Sequence, residues 1–146
     1  MSLENLLGIS LEKVEPDSVN ITRLLTAARR NIADAKIMAV SSENRFDAAY
    51  KAIMQLASAS LQANGYRTLT SKPGRHMTMI QTLGQTLGLD KQTVIVLDAL
   101  RKQRNVADYS GDIVPESATK DCLMQAEDLL KRVRFWLEDN RPDLAE

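Results

Sequence analysis

Residues 45–66 read RFDAAYKAIMQLASASLQANGY. Phe46, Ala49, Ile53, Leu56, Ala57 and Leu61 recur at helical spacing and make one apolar stripe. The run stops at Asn64-Gly65, where glycine takes a left-handed conformation at little cost and closes a helix. Upstream, Pro16-Asp17-Ser18 opens a second such run with Ile21, Leu24, Leu25, Ala28, Ile32 and Ala35 on one face. Arg23, Arg30, Asn31 and Asp34 occupy the other face. Only Ser41-Ser42-Glu43-Asn44 joins the two runs, so they are expected to form an antiparallel hairpin, with Asn44 capping the second helix. The pair is rich in alanine (Ala27, Ala28, Ala48, Ala49, Ala52, Ala57, Ala59), which permits close approach of the two axes.

Working outward, residues 66–75, YRTLTSKPGR, form a loop. A short helix is expected from Met77 to about Leu87, with Ile80 and Leu83 inward and Gly88 ending it. Asp90 is placed to cap a fourth helix that carries Val94, Leu97 and Leu100 towards Asp108. Pro115 suits the first turn of a last helix bearing Ala118, Cys122, Ala126, Leu129, Val133, Trp136 and Leu137. The segment Leu3 to Val14 is weakly amphipathic and reads as a short leader helix. Nowhere does an alternating strand pattern of useful length occur. The expected fold is all-α, an antiparallel bundle of four to five main helices in one domain over residues 1–146.

Composition narrows the chemistry. Nineteen basic and nineteen acidic side chains cancel, so any polyanion site must be a local basic patch. A single cysteine, Cys122, excludes an intramolecular disulfide and a cysteine metal cluster, and its apolar position marks a buried small hydrophobe. With His76 as the only histidine, neither the paired Glu-x-x-His ligands of a di-iron bundle nor a Cys/His zinc set is available. Phosphate-loop and dinucleotide fingerprints are absent too, so no cofactor or metal is expected. The amino-terminal residues MSLENLLGIS lack a signal-peptide pattern, and no run approaches the ~20 apolar residues of a membrane span. A cytoplasmic protein without membrane attachment is expected.

One segment carries an unusual polar load. Residues 100–112 read LRKQRNVADYSGD. On a helix, Arg101, Arg104, Asn105 and Asp108 share one side, and Arg104 and Asp108 stand four apart, able to pair. The segment is either a solvated helix end or a ligand site. His76 has two readings as well. It follows Pro73-Gly74-Arg75, where it makes one hydrogen bond at a helix start or contacts a ligand in a basic loop with Arg67, Lys72 and Arg75.

Taken together, the hairpin RFDAAYKAIMQLASASLQANGY, the segment LRKQRNVADYSGD and the closing WLEDNRPDL resemble the HEPN superfamily of small helical bundles, over roughly residues 18–144. The resemblance implies metal-independent ribonuclease ancestry. Catalytic members carry an arginine, often followed by asparagine, and a histidine four to six residues on, with two such motifs meeting across a homodimer. The arginine steadies a phosphate and the histidine moves a proton at a ribose oxygen. Arg104 and Asn105 match the first two positions, but the histidine position holds Tyr109. A free phenol titrates near ~10 and imidazole near ~6.5, so the substitution removes a proton-transfer group typically worth ~100- to 10,000-fold in rate. Tyrosine still donates a hydrogen bond to phosphate or stacks on a base. His76 replaces the missing group only if the fold brings it beside Arg104.

The resemblance therefore implies a binding module that holds RNA or a nucleotide in a homodimer groove. Arg104, Asn105 and Tyr109 would line that groove, with Arg101 nearby. Some relatives pair with a nucleotidyltransferase-type protein in toxin–antitoxin modules, where a tyrosine two residues beyond the histidine is modified. Gly111 occupies that slot here, so the modification does not carry over. Two alternatives stand beside this expectation: an endoribonuclease toxin with a modified Arg-Asn-Tyr site, and a non-catalytic scaffold that binds another protein.

Overall fold

A computed structural model of the chain describes residues 2–71, 73–111 and 113–146, and at Asp108 and Tyr109 the backbone alone. The chain is an all-α helical bundle. Its long helices are α1 (Ser18–Ala35), α2 (Ser42–Ala63), α5 (Lys91–Ser110) and α6 (Glu116–Asn140), with two short helices, α3 (Arg75–Gln81) and α4 (Leu83–Thr86), between α2 and α5.

Helix α2 is the axis of the bundle. Phe46, Ala49, Leu56 and Ala57 on it are fully buried, and α1 and α6 pack along its flanks. The alanines of the hairpin supply that contact, as Ala28, Ala35, Ala49, Ala52 and Ala59 have no exposed surface. Asp17 starts α1 by accepting from the Val19 amide at 2.9 Å. Ser41 starts α2, its hydroxyl accepting from the Asn44 amide at 3.3 Å. Asn44 thus lies inside the first turn rather than at the cap expected of it. Serine caps as well as asparagine does, and its earlier position gives α2 three more residues of helix.

A clasp joins the ends of three helices. Arg45 is 4% exposed; its Nε donates to the Ala35 carbonyl at 2.9 Å and its Nη1 to Glu116 at 2.5 Å. Ser42 donates to the Val114 carbonyl at 2.7 Å, and Thr119 donates to the Ser42 carbonyl at 3.0 Å. Cys122 is buried as expected, its thiol 3.9 Å from the Phe46 carbonyl, and burial pushes its pKa up to about 12.

Two expectations need correction. The leader is not a helix beyond one 3-10 turn, Leu3–Leu6. It continues into strand β1 (Leu11–Lys13), which pairs antiparallel with β2 (Tyr66–Thr68), Leu11 facing Thr68 and Lys13 facing Tyr66. Three-residue strands are too short to show alternation, and their pairing joins segments 55 residues apart, so no local pattern announces them. The single helix expected at 77–87 begins earlier, at Arg75, and breaks at Thr82. The Thr82 hydroxyl bonds back to the carbonyls of Thr78 and Met79, at 2.8 and 3.2 Å, which competes with a continuous helical ladder.

Candidate functional site

Helix α2 is not covered on every side. Asp47, Tyr50, Lys51, Met54, Gln55 and Ser58, spaced so that each turn of α2 adds one or two of them to the same face, line a cavity of about 520 Å³. The opposite wall comes from α3, which supplies Arg75, His76 and Met79, and α5 closes one end with Arg104. Gly74 precedes α3 with φ +77°, a left-handed turn that a side chain would strain. That turn lets α3 begin at Arg75 and brings His76 towards α2.

Tyr50 links the walls. Its hydroxyl lies 3.2 Å from His76 Nδ1, and the two rings are 5.9 Å apart at 48°. The Arg104 guanidinium lies over the Tyr50 ring at 5.1 Å, a cation–π contact, and its Nε is 3.9 Å from Asp47 Oδ1. Among the described lining residues, Lys51, Arg75 and Arg104 outnumber the one carboxylate, Asp47. The site therefore carries the local excess of positive charge that the neutral chain lacks as a whole.

The charges tune the two central groups in opposite ways. Burial raises the Tyr50 pKa to about 12, although Arg104 and Arg101 pull it down, so the group stays a neutral phenol. Burial lowers the pKa of His76, and the cations Arg104, Arg75 and Arg101 lower it further. At pH 7 His76 is thus a neutral imidazole surrounded by positive charge. An anion in the cavity reverses that balance and favours the imidazolium.

Of the residues the sequence singled out, Arg75, His76 and Arg104 come together in this cavity, His76 and Arg104 joined through Tyr50. Arg101 does not line it. Asp98, one turn away on the same helix, accepts from Arg101 Nε at 2.8 Å and also pairs with Lys102, while the Arg101 charge still reaches Tyr50 and His76. Asn105 is exposed and lies off the cavity. The side chains of Asp108 and Tyr109 lie outside the described residues, and with them the expected pairing of Arg104 with Asp108. Lys72 lies outside as well, and Arg67 is engaged with Glu12 across the two strands.

Sequence reasoning named Arg75 beside His76 but missed Asp47, Tyr50 and Lys51 as part of the same site. A signal existed for Tyr50: its phenol occupies a buried helix face, where a hydroxyl needs a partner. A second cavity of about 400 Å³, between α5 and α6, is walled by Leu89, Leu97, Leu129 and Phe135 and contains neither histidine nor tyrosine. Among the described residues, no group of three or more His, Cys, Asp or Glu gathers as metal ligands would. Nor is any described helix long and apolar enough to cross a membrane. No protein-family model and no curated protein matches the chain.

Proposed function

We propose that this chain is a HEPN-like module that holds RNA or a nucleotide by phosphate in the cavity between α2, α3 and α5. The observation that carries the reading is the grouping of Arg104, Arg75 and Lys51 around a neutral, hydrogen-bonded His76. Guanidinium forks match phosphate oxygens bidentately, and the described lining holds three cations against one carboxylate. That Arg104 lines an open cavity supports a ligand site in this segment. The resemblance extends the proposal to a homodimer and to a toxin–antitoxin or nucleotidyltransferase-associated setting.

The test is binding of a short single-stranded RNA and of a nucleoside monophosphate, with Arg104→Ala and Arg75→Ala compared with the native chain over a salt series. Each phosphate engaged contributes a slope of about −0.7 in log affinity against log salt. Native affinity that neither variant lowers overturns the reading.

A second reading rests on one observation: His76 stands in the same cavity as Arg104. In the tautomer whose Nδ1–H donates to the Tyr50 oxygen, the other nitrogen, Nε2, is free to take the proton of a ribose 2′-hydroxyl. The 2′-oxygen then bonds to phosphorus, the bond from phosphorus to the 5′-oxygen breaks, and the leaving oxygen takes a proton from water. RNA cleavage in the presence of a chelator, lost in His76→Ala, selects this reading over binding alone.

A further inference from the structure

Asp47 is the only carboxylate among the described residues that line the cavity, and it shares that lining with Lys51, Arg75 and Arg104. It lies on α2, and Arg104 reaches it from α5, so the two charges meet from different helices.

Their contact differs from the ion pairs that fasten this fold. Arg45 Nη1 donates to Glu116 at 2.5 Å and Arg101 Nε donates to Asp98 at 2.8 Å. In those pairs the arginine side chains are only 4% and 16% exposed. Arg104 Nε lies 3.9 Å from Asp47 Oδ1, beyond hydrogen-bond reach, and the two side chains are 33% and 50% exposed. An ion pair so long and so solvated contributes little, because water screens both charges. A phosphate oxygen on the same guanidinium makes a charge-assisted hydrogen bond, roughly twice as strong as a neutral one. The cation is not held in place by Asp47 alone, since the Tyr50 ring lies beneath it at 5.1 Å. A phosphate group arriving at Arg104 therefore meets a like charge already there. It must share the guanidinium with that charge or drive it out into solvent, to which Asp47 is already open.

We propose that Asp47 is an internal competitor for the anion. Its carboxylate pairs with Arg104 until a phosphate group takes the guanidinium, and so limits the affinity of the site. This rests on the reading of the cavity as a phosphate site. Asp47 thereby acts in the opposite sense to the cations beside it: they draw the ligand in, and it holds the affinity down.

The experiment is titration of the full chain with inorganic phosphate at constant pH and ionic strength, followed by phosphorus NMR, which reads affinities into the millimolar range. Asp47→Asn removes the charge and keeps the shape. It should tighten phosphate binding about fivefold, the upper end for a partly exposed pair. Asp47→Ser should do the same, and it carries the test if the amide perturbs folding, which thermal unfolding checks. In an Arg104→Ala background, Asp47→Asn should change affinity by less than about twofold, because the group competed for is gone. Binding seen only in the Asp47 variants supports the competition as well. If native binding needs Arg104 but Asp47→Asn leaves it unchanged or weakens it, the competition is wrong and the phosphate site survives. Equal tightening with and without Arg104 also overturns it, since Asp47 then repels the ligand without contesting the guanidinium. If phosphate binds none of these chains, the phosphate site and the competition fall together.

Discussion

The Tyr50 hydroxyl and His76 Nδ1 stand 3.2 Å apart, joining the central helix to a seven-residue helix that follows a left-handed turn at Gly74. This single contact holds the imidazole at the cavity wall. Tyr50→Phe keeps the ring beneath Arg104 but removes the hydroxyl. We expect a loss of about 1 kcal/mol in unfolding free energy, the net worth of one hydrogen bond, read by urea denaturation. Phosphate affinity should fall far less than in Arg104→Ala.

The pKa of His76 lies below its ordinary value of 6.5 in the folded chain. The unfolded chain then binds more protons than the folded one as pH falls through this range. The stabilisation is full above about 6.5 and is lost as pH drops through the folded pKa. Urea midpoints should therefore fall between pH 7.5 and pH 5, and His76→Gln should flatten that part of the profile. Asp98 and Glu146 also have lowered values, held down first by bonds from Arg101 and Arg29, but their contributions disappear only in the more acidic carboxylate range.

Because the chain has one histidine, its imidazole proton resonance is unambiguous in an NMR titration. Arg104→Ala should raise the His76 pKa, since the guanidinium holds it down. Added inorganic phosphate should raise it in the native chain and have little effect in the variant. A titration curve indifferent to both changes would separate the histidine from any anion site.

Arg45 is the buried cation of the clasp. Arg45→Ala leaves the Ala35 carbonyl without its donor and Glu116 without its partner. A destabilisation of about 2–3 kcal/mol is expected, the range for hydrogen bonds that involve a charged group. Glu116→Gln should cost less than about 1 kcal/mol, because Glu116 is 44% exposed and water replaces the lost pairing.

Cys122 has no exposed surface and a thiol pushed up to about 12, so native protein should resist a disulfide reagent at pH 8. Labelling should appear only as denaturant unfolds the chain and should follow the same transition as circular dichroism. Rapid native labelling would show that α6 opens locally away from α2.

The residues themselves determine the helical hairpin. The stripe from Phe46 to Leu61, the stop at Gly65 and the alanines of α1 and α2 are local facts, and helix formation depends on neighbours three and four apart. Arg104 stood out for the same reason, lying within a dense run of polar residues on one helix. Tertiary structure alone decided what Arg104 meets. Its neighbours in the cavity, Tyr50 and His76, come from α2 and α3, and no spacing along the chain reports a contact between three helices. The small β1–β2 pairing escaped notice on the same grounds, since its hydrogen bonds join distant segments whose own sequences are too short to carry a period. Side-chain periodicity records which face of an element is buried, whereas the partner it is buried against depends on how the elements close around one another.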